Sequence, residues 1–277
     1  GMFDVWDAHQ HHGTRTAELL HDPTYPPDAA DGWLEAERHH RIEQMTALGI
    51  DRAILMPTNS YPRVNGIADT AHANDRVMRC VEQNPDRFLG GVGIVEPQYG
   101  PASLDEIQRL SDAGAIGFAY HPRLQGVPAD DPWIRRQLEL LAELDMVVFF
   151  HSYAESAFES PTLLTRAFRG LDDLRIVVLD GMSSYVHTYQ CIALAEQHPN
   201  IVFDTAMIWG PMALEQFLDT LGSQRLVFGS NLYSNAGAPG FCTPAALRAF
   251  PALDAEALQA VLHDNLARTL RLEDESA

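Results

Sequence analysis

His9 and His11 stand one residue apart in the stretch Asp7-Ala8-His9-Gln10-His11, which follows the apolar run Phe3 to Trp6. Side chains two apart on a strand face the same side, so both imidazoles can converge on one point while Gln10 turns away. Two imidazole nitrogens drawn from five residues make a metal site the first expectation. The chain contains no lysine, since all 19 of its basic residues are arginine. Schiff-base chemistry, pyridoxal attachment and a lysine-derived carbamate bridging two metals are therefore absent. A mononuclear or a metal-free site remains.

Elements that could position these histidines are read from the apolar runs at 3–8, 52–57, 88–95, 115–120, 146–150, 175–179, 201–204 and 225–228. Each reads as a buried strand. Helical spacing fills most of the gaps, as at 71–84, 104–113, 133–144, 189–198 and 212–221, often before Gly, Pro or Asn stops. Eight strand–helix units predict one (β/α)8 TIM barrel over residues 1–277, with a closing helix at 254–270 and a frayed acidic tail at 273–277. An open doubly wound sheet is the alternative, but the Gly-rich phosphate loop it usually carries after its first strand is missing. Two long polar loops, 12–31 and 231–244, are expected over the barrel mouth.

Functional residues of a barrel gather at the C-terminal strand ends. Those ends offer His9 and His11, Thr58 and Asn59, His121 and Arg123, His151, Asp180, Asp204 and Asn231. His9, His11 and His151 are the expected metal ligands, a set suited to one divalent ion, Zn2+ or else Mn2+, with a fourth position open to water. His121 is a candidate acid/base group. Arg123 can hold a substrate carboxylate through a two-pronged pair, with a surface ion pair as its bland alternative. Asp180 or Asp204 is a candidate base, and strand alternation leaves open whether Asp180 faces the mouth. Trp209, Tyr233 and Tyr61 either pack the mouth or touch substrate, and His187 is the best placed of the helical histidines.

The ordered set formed by DAHQHH, Gly114-Ala115-Ile116-Gly117-Phe118, His121-Pro122-Arg123-Leu124-Gln125-Gly126, Val147-Val148-Phe149-Phe150-His151, Phe228-Gly229-Ser230 and Asp264-Asn265-Leu266-Ala267-Arg268 resembles the amidohydrolase superfamily. The likeness spans nearly the whole chain and is with its branch of small barrels, which holds decarboxylases, hydratases and dicarboxylate lactonases. The resemblance implies that His9, His11 and His151 bind metal. It also implies a histidine after strand six and an aspartate after strand eight. Here the sixth segment reads Leu179-Asp180-Gly181-Met182-Ser183, with glycine where the imidazole is expected, and the eighth reads Gly229-Ser230-Asn231. An asparagine amide is neutral and is not a base.

Composition narrows the partners. A formal charge of -19 argues against nucleic acid. Cys80, Cys191 and Cys242 show no disulfide or thiolate-metal spacing, which fits a reducing cytoplasm. No leader or membrane span is read, Gly1 before Met2 looks like a tag remnant, and a homo-oligomer stays open. The expected function is a metal-dependent hydrolase or non-oxidative decarboxylase for a small, carboxylate-bearing molecule. The alternatives are a metal-independent hydrolase of the lactonase kind, in which Asn231 supplies a hydrogen bond, and a barrel that has lost catalysis and binds a ligand.

Overall fold

The computed structural model describes residues 3–13, 31–57, 63, 65–154, 156–232 and 243–272, with side chains left aside at 31–33. Eight parallel strands run in chain order around one sheet: β1 (Trp6–His12), β2 (Arg52–Pro57), β3 (Phe88–Ile94), β4 (Gly117–Tyr120), β5 (Val147–His151), β6 (Arg175–Leu179), β7 (Ile201–Asp204) and β8 (Leu226–Val227). Beyond β8 the chain returns to β1 through Ala8 N–H to Phe228 O at 2.9 Å and Asn231 N–H to His9 O at 2.8 Å. The sheet thereby nearly closes, as a single-domain (β/α)8 barrel.

Helices cover the outside, among them α1 (Asp31–Leu48), α2 (Ile67–Gln83), α3 (Pro101–Asp112), α4 (Pro132–Glu143), α5 (Pro161–Ala167), α6 (Tyr185–Gln197) and α7 (Pro211–Leu221). Proline at the first turn of α3, α4, α5 and α7 suits positions whose N–H has no helical partner. α6 starts earlier than its periodicity predicts because Ser184 caps it, its hydroxyl accepting from His187 N–H. The closing helical stretch is one path with a π-turn at Ala260–Asp264 between Ala255–Gln259 and Asn265–Leu270.

Strand alternation separates two apolar layers. Phe118, Tyr120, Val148, Phe150, Ile176 and Val178 face the helices, whereas Ala8, Ile54, Met56, Ala119, Phe149, Val177 and Leu179 pack together inside the barrel. Two departures from alternation set up everything above the inner layer. β1 is the first: it begins at Trp6, later than the sequence suggests, and the histidines lie within it rather than at its end. Strict alternation from Trp6 and Ala8 would point Gln10 inward, but the register with β2 shifts between Asp7 and Gln10. That bulge turns His9 and His11 inward instead.

β6 is the second departure. Alternation from Val177 and Leu179 would bring residue 181 inward, yet Asp180 adopts a left-handed φ of 60° and breaks the pattern. A Cβ built on Gly181 would meet Cys191 Sγ at 3.2 Å, Phe203 Cδ1 at 3.3 Å and Val178 Cγ1 at 3.3 Å, all in the outer layer. Position 181, where the resemblance implies an imidazole, therefore faces the outer layer in this chain. Asp180 is the residue that β6 turns into the barrel.

Candidate functional site

The bulge in β1 is held by Asp7, a fully buried carboxylate. Its oxygens accept from His9 N–H at 3.0 Å, Ser230 N–H at 2.9 Å, Gln10 Nε2 at 2.9 Å and Ser230 Oγ at 2.5 Å. Burial raises its pKa despite these bonds. The side chain thus substitutes for ladder partners that the bulge removes, and it aims the two histidines.

Each of three imidazoles is anchored at Nδ1, which leaves its Nε2 directed inward. His9 Nδ1 lies 2.7 Å from Asp204 Oδ2, His11 Nδ1 3.1 Å from Pro57 O, and His151 Nδ1 2.5 Å from Glu159 Oε2. Metal-binding histidines are oriented in this manner, by a carboxylate or carbonyl on the far nitrogen. On the near side, the Nε2 atoms of His9 and His11 stand 2.9 Å apart, and His151 Nε2 stands 2.8 Å from Asp180 Oδ2. Burial opposes charge on His151, but Glu159 and Asp180 outweigh it and hold its pKa up to about 10. Burial likewise opposes charge on His9, whose pKa the Asp204 carboxylate nevertheless raises.

Asp180 is 3% exposed, and its Oδ1 is buried without a hydrogen bond, 3.8 Å from His9 Nδ1. Burial would raise its pKa; the bond to His151 overrides this and lowers it. Its backbone N–H donates to Asp204 Oδ1 at 2.9 Å, so Asp204 ties the ends of β1, β6 and β7 together. Burial pushes Asp204 up to about 6, against the pull of His9. Gly229 makes room for it: a Cβ there would meet Asp204 Oδ2 at 2.6 Å. Asn231 is buried with φ 57°, and its Oδ1 also has no hydrogen bond.

His121 joins the cluster from the end of β4. It stacks on His151 at 4.3 Å between centroids and meets His11 edge-on at 5.3 Å. Burial, followed by the neighbouring histidines and Arg123, keeps its pKa well below the ordinary imidazole value. Arg123 is exposed at the mouth, its guanidinium 5.0 Å from the Tyr153 ring, which itself stacks on His151 at 6.0 Å. Trp209 is 40% exposed at the rim and meets Tyr185 edge-on. His187 goes to Ser152 Oγ at 2.9 Å, behind the cluster. Thr58, Asn59, Tyr61, Tyr233 and Cys242, with most of both expected mouth loops and the tail, lie outside the described residues.

One ligand atom from each of His9, His11 and His121 lies within 4.8 Å of the others, and the same holds for His9, Asp180 and Asp204. Buried imidazoles and carboxylates at this spacing fit a divalent ion. His151 reaches the cluster through Asp180 and through its stack on His121. The amidohydrolase family profile matches residues 6–272. The chain belongs to the amidohydrolase family. Solved structures similar to this amidohydrolase include a 4-oxalomesaconate hydratase from Rhodopseudomonas palustris, 18% identical over 96% of this chain and 95% of that one, with a TM-score of 0.74. A 5-carboxyvanillate decarboxylase from Novosphingobium aromaticivorans with bound manganese is 18% identical, over 98% and 97%, at 0.73. A 2,6-dihydroxybenzoate decarboxylase from Rhizobium is 17% identical, over 98% and 99%, at 0.71. At these identities the likeness is one of fold. No curated protein sequence matches the amidohydrolase chain.

Glu159 is the site residue that sequence reasoning missed. It is fully buried in the 3-10 turn Ala157–Glu159, and besides His151 it accepts from Tyr153 N–H at 3.0 Å and Arg123 N–H at 2.8 Å. The one local signal is a glutamate eight residues beyond a strand-end histidine, just before a Ser-Pro helix start.

Proposed function

We propose that this amidohydrolase is a metal-dependent hydrolase or decarboxylase acting on a small, carboxylate-bearing molecule, with His9, His11 and His151 holding one divalent ion, zinc or manganese. The observation that carries the reading is the anchoring of all three imidazoles at Nδ1, by Asp204, Pro57 O and Glu159. Similar structures, a hydratase and decarboxylases named for small carboxylates, support the substrate class. When bound, the ion would polarise a substrate oxygen.

The protein's own groups have separable tasks. Arg123, at the mouth and backed by the Tyr153 face, takes the substrate carboxylate as a two-pronged pair. His121, between His11 and His151, is placed to exchange a proton with the bound molecule. Asp180 supplies the inward carboxylate, Asn231 a neutral amide, and Trp209 part of the rim.

One observation favours a second reading, a metal-independent hydrolase of the lactonase kind. His151 is clamped between Glu159 Oε2 at 2.5 Å and Asp180 Oδ2 at 2.8 Å, two carboxylates that favour its charged form, and such a held imidazolium can polarise a carbonyl.

Elemental mass spectrometry of protein purified without chelators separates the two. The first reading expects about one equivalent of zinc or manganese, lost in His9→Ala, with turnover of carboxylate substrates lost alongside. Metal-free protein that cannot be reconstituted, yet turns over a lactone, overturns it in favour of the second.

A further inference from the structure

We infer that the carboxylate ligand of the metal centre in this chain is Asp180, at the end of β6, and that β8 contributes no anionic ligand. The inference rests on the proposed reading that the histidine cluster holds a divalent ion, and it assigns the group that completes the set.

Three features of Asp180 point the same way. First, its carboxylate reaches the cluster: Oδ2 is 2.8 Å from the inward Nε2 of His151, and Oδ1 is 3.8 Å from His9 on the side of the ring that Asp204 anchors. The 2.8 Å gap, like the 2.9 Å between His9 Nε2 and His11 Nε2, is within about 0.6 Å of the roughly 3.0–3.4 Å that separates neighbouring ligand atoms on one ion at bonds of about 2.1 Å, so small side-chain shifts would admit the ion. Second, Oδ1 is buried with no hydrogen bond, which costs the fold free energy unless a ligand supplies the missing partner. Third, the backbone is committed to this direction. The left-handed φ of 60° overrides the strand's alternation, Asp204 Oδ1 pins the Asp180 N–H at 2.9 Å, and the outward position is filled by Gly181 against Cys191 and Phe203.

Position 231 cannot take this part. Asn231, four residues beyond β8, is buried on a backbone of the same left-handed kind, but its side chain is a neutral amide and brings no negative charge to balance a divalent ion. With Asp180 as ligand, the set becomes imidazoles from β1 and β5 and one carboxylate from β6. His121 is left for the substrate side.

Chelator-competition titration of zinc, paired with the visible spectrum of the cobalt(II)-substituted protein, tests the assignment without any substrate. Asp180→Asn keeps the side-chain shape and removes the charge; it is expected to weaken zinc binding by roughly a hundred-fold and to alter the cobalt bands. Asp180→Glu, which keeps the charge if the asparagine variant does not fold, is expected to bind tightly with shifted bands. Wild-type protein that binds one equivalent while Asp180→Asn binds within about three-fold of it, with unchanged bands, overturns the assignment and leaves the histidine site standing. Wild-type protein that binds no metal removes the underlying reading itself, a different result from the previous one.

Discussion

Asp7 and Asp180 are buried carboxylates that both approach His9, and they are treated in opposite ways. Asp7 is saturated by two backbone N–H groups, the Gln10 amide and the Ser230 hydroxyl. The network continues outward: Arg41, fully buried, donates to Gln10 Oε1, to His11 O and to Glu37, and Glu37 lies 3.1 Å from His12. By contrast, Asp180 and Asn231 each leave a buried oxygen without a hydrogen bond on a left-handed backbone. The filled Asp7 carboxylate fixes the shape of β1, whereas at Asp180 a left-handed backbone holds an oxygen without a hydrogen bond inside the barrel.

Breaking the filled side has the largest expected effect. Asp7→Ala strands the His9 and Ser230 amides and should lower stability by roughly 3–5 kcal/mol, or about 10 °C in Tm for a domain of this size, in thermal unfolding of the metal-free protein. A fall of under about 3 °C would erase the contrast between the two sides.

Acid should reach the same side next. Burial would raise the Glu37 pKa, but Arg41 and His12 lower it to about 2 from the ordinary glutamate value of 4.5. A depressed carboxylate contributes stability that is complete above its unfolded pKa and is lost as pH falls through the folded one. About 3 kcal/mol should therefore disappear between pH ~4.5 and ~2, read by urea titration. Glu37→Gln should flatten that part of the pH dependence; an unchanged profile assigns it elsewhere.

The smallest change should carry the opposite sign. Asn231→Gly removes an unpartnered buried oxygen and relieves φ 57°, so the metal-free protein should gain up to about 1 kcal/mol in the same titration. A loss would show that Asn231 belongs to the filled class.

Much of this was legible in sequence. Seven of the eight strands lie where the apolar runs put them, with β1 shifted toward its histidines, because a barrel strand buried on both faces cannot hide its composition. The convergence of His9 and His11 follows from their spacing, although the bulge that delivers it does not. The inward turn of Asp180 was not legible, since one left-handed residue reverses the parity on which strand reading depends. Nor were the partnerships of His9 with Asp204, 195 residues away, and of His151 with Glu159, because no local pattern encodes a hydrogen bond closed by the fold. The stacking of His121 on His151 is likewise a product of how β4 sits beside β5.

The left-handed backbone at positions 180 and 231 also sets an alphabet. Outside glycine, the residues that tolerate this conformation best are aspartate, asparagine and histidine. At these two sites the chain can therefore spell an anion, a neutral amide, an imidazole or nothing, and single codon changes connect several of those letters. The charge of the pocket can be rewritten over evolutionary time without moving the scaffold, which gives one barrel a short route between neighbouring chemistries.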